Sequence, residues 1–234
     1  MKPVVIVAGA LALPLAATSA WAMDNLILVD LSWVQAAPGV EEVVAAWPAA
    51  ARAKGLGGLV TLNCQFDRQG KLGQCEVVSE APRGAGFGKA ALSLTDRFHG
   101  PATLPGGHTI FGTHAEFSVR FAPDMLTTAN ITAPEWVSLP TAAQFQGAFP
   151  EAAAKAGVLK ARAAMSCKVG PDGGLSACAA ASEDPAGYGF GDQTLTLAPL
   201  FRVKLWGADG RPVVGGTVRV PIRYDLQQAS QPKS

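Results

Sequence analysis

The sequence predicts an α+β protein made of two repeated domains, each a small antiparallel sheet packed by two helices. A long internal repeat is the first observation behind this prediction. The second is a change, within each copy, from helical spacing of apolar residues to the alternation typical of strands. The third is that four cysteines follow the repeat, two in each copy.

The repeat is visible when the sequence is compared with itself at an offset of 103 positions. The matches run along most of the chain: Trp33 with Trp136, Cys64 with Cys167, Cys75 with Cys178, Ser79 to Pro82 with Ser182 to Pro185, Gly86 to Gly88 with Gly189 to Gly191, and Phe98 with Phe201. Solenoid repeats are shorter, so this period indicates duplicated domains. We predict a signal peptide at 1–22, a first domain at 23–125 and a second domain at 126–234.

Each copy is predicted to run in the order helix, strand, strand, helix, strand. Proline begins and glycine ends the first helix, at Pro48 and Gly55 and again at Pro150 and Gly157. Alternating apolar residues around a glycine turn then predict a hairpin, and a second helical pattern and a final strand follow. The predicted segments are strands 59–66, 75–79 and 115–121 with helix 90–98, and strands 165–169, 175–181 and 217–224 with helix 195–200.

The cysteine spacing fits the predicted hairpins. Strands folded about Gln69-Gly70 bring Cys64 opposite Cys75, and the second turn does the same for Cys167 and Cys178. Each bond would contribute on the order of 3 kcal/mol by closing a short loop in the unfolded chain. The alternative is a zinc site of four cysteines, which favours cysteines two to four residues apart and is therefore disfavoured.

The first residues are typical of a secretory signal peptide. A basic Lys2 precedes an apolar run that reaches an Ala20-Trp21-Ala22 cleavage pattern. The alternative is an uncleaved N-terminal membrane anchor, but the run is shorter than the ~20 residues that a spanning helix needs. Lys2 is one of 19 basic residues against 18 acidic ones, so the mature chain has no formal net charge. This balance gives no electrostatic reason to expect nucleic-acid or anionic-membrane binding.

The order of motifs in each copy resembles the C-terminal domain of TonB-type energy transducers. The first copy carries the pattern as Trp47-Pro48-Ala49-Ala50-Ala51, Gly58-Leu59-Val60, Gly70, Val77-Val78-Ser79, Ala90-Ala91-Leu92, Phe98-His99-Gly100-Pro101 and Phe117 to Phe121. The second copy carries it as Phe149-Pro150-Glu151-Ala152-Ala153, Gly173, Ser182, Leu195 to Leu197, Phe201 and Val218 to Tyr224. The proline-rich spacer of a transducer is missing here, since only about ten residues separate Ala22 from Trp33.

The resemblance implies a periplasmic binding or scaffold protein that pairs an edge strand with a peptide of an envelope or outer-membrane transport partner. The implied peptide-binding strand of the first copy comprises Glu116, Phe117, Ser118, Val119 and Arg120. We expect the first copy to bind better, because Pro221 replaces Ser118 in the second and cannot donate a ladder hydrogen bond. The alternatives are a membrane-anchored energy transducer, if the N-terminal segment is not cleaved, and an envelope metal-binding protein or hydrolase.

Other motifs have simpler structural interpretations. The glycine-rich stretches 84–88 and 187–191 could hold a phosphate, but no P-loop lysine follows, which favours tight connections before helices. Glu80 and Glu183 are expected to cap helices or lock hairpins rather than act as general acids. We expect His99, His108 and His114 on loops rather than around a metal ion. Trp33 and Trp136 are expected either to pack on the sheet as lids or to serve as aromatic platforms for a ligand. No G-x-S-x-G or H-E-x-x-H motif occurs, so neither an enzyme nor a cofactor is predicted.

Cleavage of the signal predicts a mature chain that begins at Met23. The intact mass of protein recovered from the periplasm should equal that of residues 23–234. A full-length mass in the membrane fraction would instead support the anchored alternative.

Overall fold

The computed structural model describes residues 27–28, 34–104 and 106–226 and shows an α+β protein in which one arrangement of elements occurs twice. The predicted signal peptide and Trp33 lie outside the described residues. Within those residues, no helix has the length and apolar character needed to cross a membrane.

The two copies share one order of helices and long strands, and the second copy adds the short strands β6 and β9. The first contains β1 (Ile27–Leu28), α1 (Val40–Ala46), α2 (Ala49–Ala53), β2 (Gly58–Phe66), β3 (Leu72–Ala81), α3 (Phe87–Leu92) and β4 (His114–Phe121). The second contains β5 (Asn130–Ile131), β6 (Trp136–Ser138), α4 (Ala142–Gly147), α5 (Glu151–Lys155), β7 (Lys160–Val169), β8 (Leu175–Asp184), α6 (Phe190–Thr196), β9 (Arg202–Val203) and β10 (Thr217–Asp225). Short 3-10 helices cover Thr95–Arg97, Pro123–Leu126 and Ala198–Leu200.

Each copy forms a four-stranded sheet, in the order β1-β4-β2-β3 and β5-β10-β7-β8. The three long strands of each sheet are antiparallel, which confirms the predicted fold class. A two-residue strand at the start of each copy adds a parallel pair at the outer side of β4 or β10. These leading strands were not predicted, because two residues are too few to show alternation.

The hairpin turns require glycine. Gly70 and Gly173 adopt φ values of +77° and +79°. A Cβ at Gly70 would lie 2.3 Å from the Gly100 carbonyl oxygen, and a Cβ at Gly173 would lie 2.2 Å from the Val203 carbonyl oxygen. Each turn therefore packs directly on the segment that follows α3 or α6, which leaves no room for a side chain. Both predicted disulfide bonds, Cys64–Cys75 and Cys167–Cys178, are formed across these hairpins.

One aromatic triad recurs in both cores. In the first copy, Trp47 packs edge-on against Phe121 at 5.5 Å between ring centroids, and Phe87 lies 5.0 Å from Phe121. The same positions in the second copy hold Phe149, Phe190 and Tyr224, with centroid distances of 5.3, 6.0 and 5.1 Å. In each copy, the triad therefore packs the start of α2 or α5 and the glycine-rich connection against the last strand, β4 or β10. Phe87 and Phe190 are fully buried.

The short helices α1 and α4 were missed in the sequence. In both, a side chain three residues into the helix accepts a hydrogen bond from the N-cap amide, and in α4 the Thr141 hydroxyl also accepts from the Gln144 N–H, which completes a capping box. Glu42 accepts from Gly39 at 2.8 Å, and Gln144 accepts from Thr141 at 2.8 Å. The pattern Thr141-x-x-Gln144 is typical of a helix N-terminus and could have predicted α4.

Glu183 holds the glycine-rich connection of the second copy in place. Its carboxylate accepts hydrogen bonds from the backbone N–H groups of Gly191, at 2.6 Å, and Gly187, at 2.7 Å. These two bonds hold the pKa of Glu183 below its ordinary value of 4.5. The predicted capping role therefore describes this residue, which joins the end of β8 to the start of α6.

Replacing this carboxylate should make stability less dependent on pH. Because the folded-state pKa of Glu183 is lowered, its stabilisation is present above the unfolded value near 4.5 and is lost as pH falls through the lower folded pKa. Glu183→Gln should lower the urea midpoint at pH 7, and the difference from the unsubstituted protein should shrink below pH 4.5. Asp184→Asn is the matched control and should keep the original pH profile. A constant difference between the two proteins at every pH would contradict this role.

Candidate functional site

The outer sides of β4 and β10 are positions at which each sheet could accept another strand, and β3 and β8 form the opposite edges of the two sheets. Thr217 donates its N–H away from β7, to the Ala129 carbonyl oxygen at 2.7 Å. Backbone groups alternate sides along a strand, so those of Arg219, Pro221 and Arg223 also face away from β7. The equivalent groups on β4 belong to Glu116, Ser118 and Arg120.

A turn of the second copy already occupies the outer side of β4. The Arg120 N–H donates to the Gly210 carbonyl oxygen at 2.7 Å, and the Arg120 Nε donates to the Asp209 carbonyl oxygen at 2.8 Å. The indole Nε1 of Trp206 donates to the Ser118 carbonyl oxygen at 3.0 Å. Two of the five residues predicted to bind peptide, Ser118 and Arg120, therefore have an outward backbone group that is already bonded within the chain.

The same turn contributes a side chain to the core of the first copy. Trp206 is fully buried, belongs to the first hydrophobic cluster and packs edge-on against Phe98 at 4.8 Å between ring centroids. Gly210 has φ of +83°, and a Cβ there would lie 2.8 Å from the Ser118 carbonyl oxygen. Only glycine allows the backbone to approach β4 this closely.

Further contacts join the two copies beside this turn. Arg211 forms an ion pair with Asp124, which precedes the second copy, and the Val40 N–H donates to the Val214 carbonyl oxygen at 2.9 Å. A cavity of about 320 Å³ lies at this junction, lined by Val40, Met125, Ile131, Trp206 and Val213. An ion pair between Glu135 and Lys204, at 2.8 Å, also borders it.

By contrast, the outer side of β10 is open beyond its short pairing with β5. That pairing covers Thr217 and Val218. From Arg219 to Arg223, no strand or turn in the described part of the chain pairs with this side of β10. The two copies thus share a fold but differ at the edge that could bind a partner.

The other predicted candidates are dispersed. His99 and His114 are half-buried and His108 is exposed; the Nδ1 atom of His114 lies 2.8 Å from the Asn63 Oδ1 atom. Within the described ranges, no group of three or more His, Cys, Asp or Glu side chains is arranged to hold a metal ion. Trp136 packs edge-on against Phe201 at 5.2 Å, in the predicted lid position.

The clearest pKa shifts among the described residues belong to structural contacts. A hydrogen bond from Arg202 lowers the pKa of Asp172 in the second hairpin turn. Burial raises the pKa of Tyr224, whose hydroxyl lies 3.0 Å from the Thr194 hydroxyl.

Fold and site together define an α+β protein in which a similar arrangement of elements occurs twice; in its described part, the outer side of β4 is occupied and that of β10 is open from Arg219 to Arg223. No protein-family model matches the chain. A protein of Caulobacter vibrioides described as "Uncharacterized protein" is 36% identical over 97 residues, which is 38% of this chain and 97% of the relative. The chain belongs to the same family as this Caulobacter protein, whose length is close to that of one copy.

Removal of Trp206 should loosen the first copy although the residue belongs to the second. Trp206→Ala removes a fully buried ring and should cost about 3–5 kcal/mol of unfolding free energy. Hydrogen exchange of the Arg120 amide should accelerate most, because its acceptor is the Gly210 carbonyl. Trp136→Ala, which removes a half-buried indole within the second copy, is the control. Unchanged Arg120 exchange in Trp206→Ala would contradict the proposed dependence.

Proposed function

We propose that this protein is an exported binding or scaffold protein that pairs a sheet edge with an extended peptide of an envelope or outer-membrane transport partner. The proposal includes the resemblance of both copies to TonB C-terminal domains and a non-enzymatic role in the periplasm after signal cleavage. Two disulfide bonds are typical of exported proteins and support this location.

The open side of β10 is the observation that carries the proposal. A strand edge with unpaired N–H and C=O groups accepts an extended peptide through main-chain hydrogen bonds. β10 spans nine residues and is held on its other side by nine residue pairs with β7, so the edge is preformed. Preformed edges bind peptides at a lower entropic cost than disordered ones.

The chemistry of β10 defines how a peptide would bond. Pro221 has no N–H, so it can only accept through its carbonyl oxygen. Arg223 has both groups on the open side, and its N–H corresponds to the Arg120 N–H that binds Gly210 in the first copy. The first copy shows how such an edge is bonded, because a carbonyl oxygen accepts from the Arg120 N–H and an N–H group donates to the Ser118 carbonyl oxygen. A peptide on β10 would make the same two bonds to the Arg223 N–H and the Pro221 carbonyl oxygen.

The stretch 116–120 of the first copy remains a second candidate edge. A peptide that bound there would have to displace the turn that contains Trp206 and Gly210. Displacement would also withdraw the Trp206 ring from the first core. We therefore propose β10 as the primary binding edge, which reverses the expected order of the two copies.

Peptide binding at β10 can be tested with a neutral nine-residue probe. The probe alternates serine and valine, carries glutamine at its third and seventh positions, and has blocked ends. NMR titration of the full chain should shift the Arg223 amide resonance and leave the Arg120 amide unchanged. The same probe with N-methyl groups on alternate residues cannot form the ladder and should not bind.

Two substitutions at one position separate the backbone from the side chain. Arg223→Pro removes the outward N–H and should weaken binding about tenfold, the loss expected for one or two main-chain hydrogen bonds. Arg223→Ala keeps that N–H and should bind the neutral probe as the unsubstituted protein does. Shifts at Arg120 and Gly210 instead of Arg223, or equal binding by the N-methylated probe, would refute the proposal.

A further inference from the structure

A basic surface lies beside the open edge of the second copy. In the β7–β10 ladder, Arg162 stands directly opposite Arg223, Ser166 opposite Arg219, and Lys168 opposite Thr217. Residues opposite each other share a face, and here it is the face away from the core, because Ala161, Ala163, Met165, Val220 and Ile222 on the other face are buried. We call Arg162, Lys168, Arg219 and Arg223 the basic face; all four are exposed.

The charges of the basic face are not neutralised within the described chain. None of its four side chains forms an ion pair there, and Arg219 donates only to the Ser182 hydroxyl, at 2.9 Å. Two carboxylates share the surface. Asp184 stands opposite Arg162 on β8 without an ion pair, and Asp225 is paired with Lys160 at 3.2 Å.

The arrangement of Arg162 and Arg223 costs stability. Like charges directly opposite each other on neighbouring strands repel, and their side chains lie about 4.5–5.5 Å apart at Cβ. Such a pair becomes favourable when a carboxylate accepts hydrogen bonds from both guanidinium groups.

The fold itself does not require this surface. At the same positions of the first copy stand Leu59, Gln65, Glu116 and Arg120. Glu116 reverses the charge of Arg219, and Arg120 is bonded to Asp209. The basic character is therefore particular to the copy whose edge is open.

We propose that the second copy selects extended acidic segments, with carboxylates four residues apart that contact Arg219 and Arg223; this inference rests on the proposed function. A strand laid along β10 directs alternate side chains to the basic face. Positions opposite Arg219 and Arg223 are four residues apart, so Asp or Glu at both would form one ion pair at each end of the open stretch.

Three nine-residue probes with the same backbone test this specificity. The acidic probe has glutamate in place of glutamine at its third and seventh positions. The split probe moves one glutamate to the sixth position, which faces the opposite side of the strand, and keeps the same net charge. The acidic probe should bind about five to ten times more tightly than the neutral one at low salt, and the split probe should lose most of this gain. About 0.5 M salt should reduce the preference.

Substitutions in the full chain assign the preference to particular residues. Arg219→Ala with Arg223→Ala should abolish the preference for the acidic probe without preventing neutral-probe binding, because both residues keep their backbone groups. Lys89→Ala removes one exposed positive charge from the first copy and should leave the preference intact.

Each contrary outcome has a distinct meaning. Equal affinity for acidic and neutral probes, or a preference that survives the double substitution, overturns the inference and leaves the proposed function standing. Loss of binding by every probe overturns both. Binding to phosphatidylglycerol vesicles without binding to any probe would show that the basic face contacts membranes, and it also overturns the inference.

Discussion

The burial of Trp206 in the first copy is the interaction on which the difference between the two copies depends. The indole fills space beside Phe98 and bonds to the Ser118 carbonyl, so it links a turn of one copy to the core and edge of the other. A fully buried tryptophan contributes several kcal/mol, comparable to a large share of a domain's stability. The position of the second copy on β4 follows from this contact, and within the described residues β10 has no equivalent.

The contact joins different surfaces of the two copies, a turn on one side and a strand edge on the other. When both surfaces stay exposed, contacts of this kind can link one molecule to the next in an open-ended assembly. The turn of the first copy that would continue the series has Thr103 at the position of Trp206. Without the indole, that turn has neither the ring nor the N–H donor that holds the second copy on the first. The first copy therefore lacks the indole contact that would carry the same interaction on to another molecule.

The repeat made most of the fold readable from the sequence. Hairpins, disulfide pairs and final strands were predicted because each signal appears twice at one offset, and agreement between copies filters out chance patterns. The two-residue strands β1 and β5 carry too little pattern to predict. The contact of Trp206 with the first copy could not be read by comparing copies, because a residue without a repeated counterpart has no such support.

Those unmatched residues are where the candidate site lies. Arg219 against Glu116 and Arg162 against Leu59 are differences that neither core requires, whereas Trp206 against Thr103 adds a buried ring to the first core. In the described part of the chain, the turn of the second copy covers the outer side of β4, while the backbone groups of β10 from Arg219 to Arg223 have no such cover. The basic face stands beside the free edge and not beside the covered one, which is the arrangement expected if charge selects what the free backbone binds.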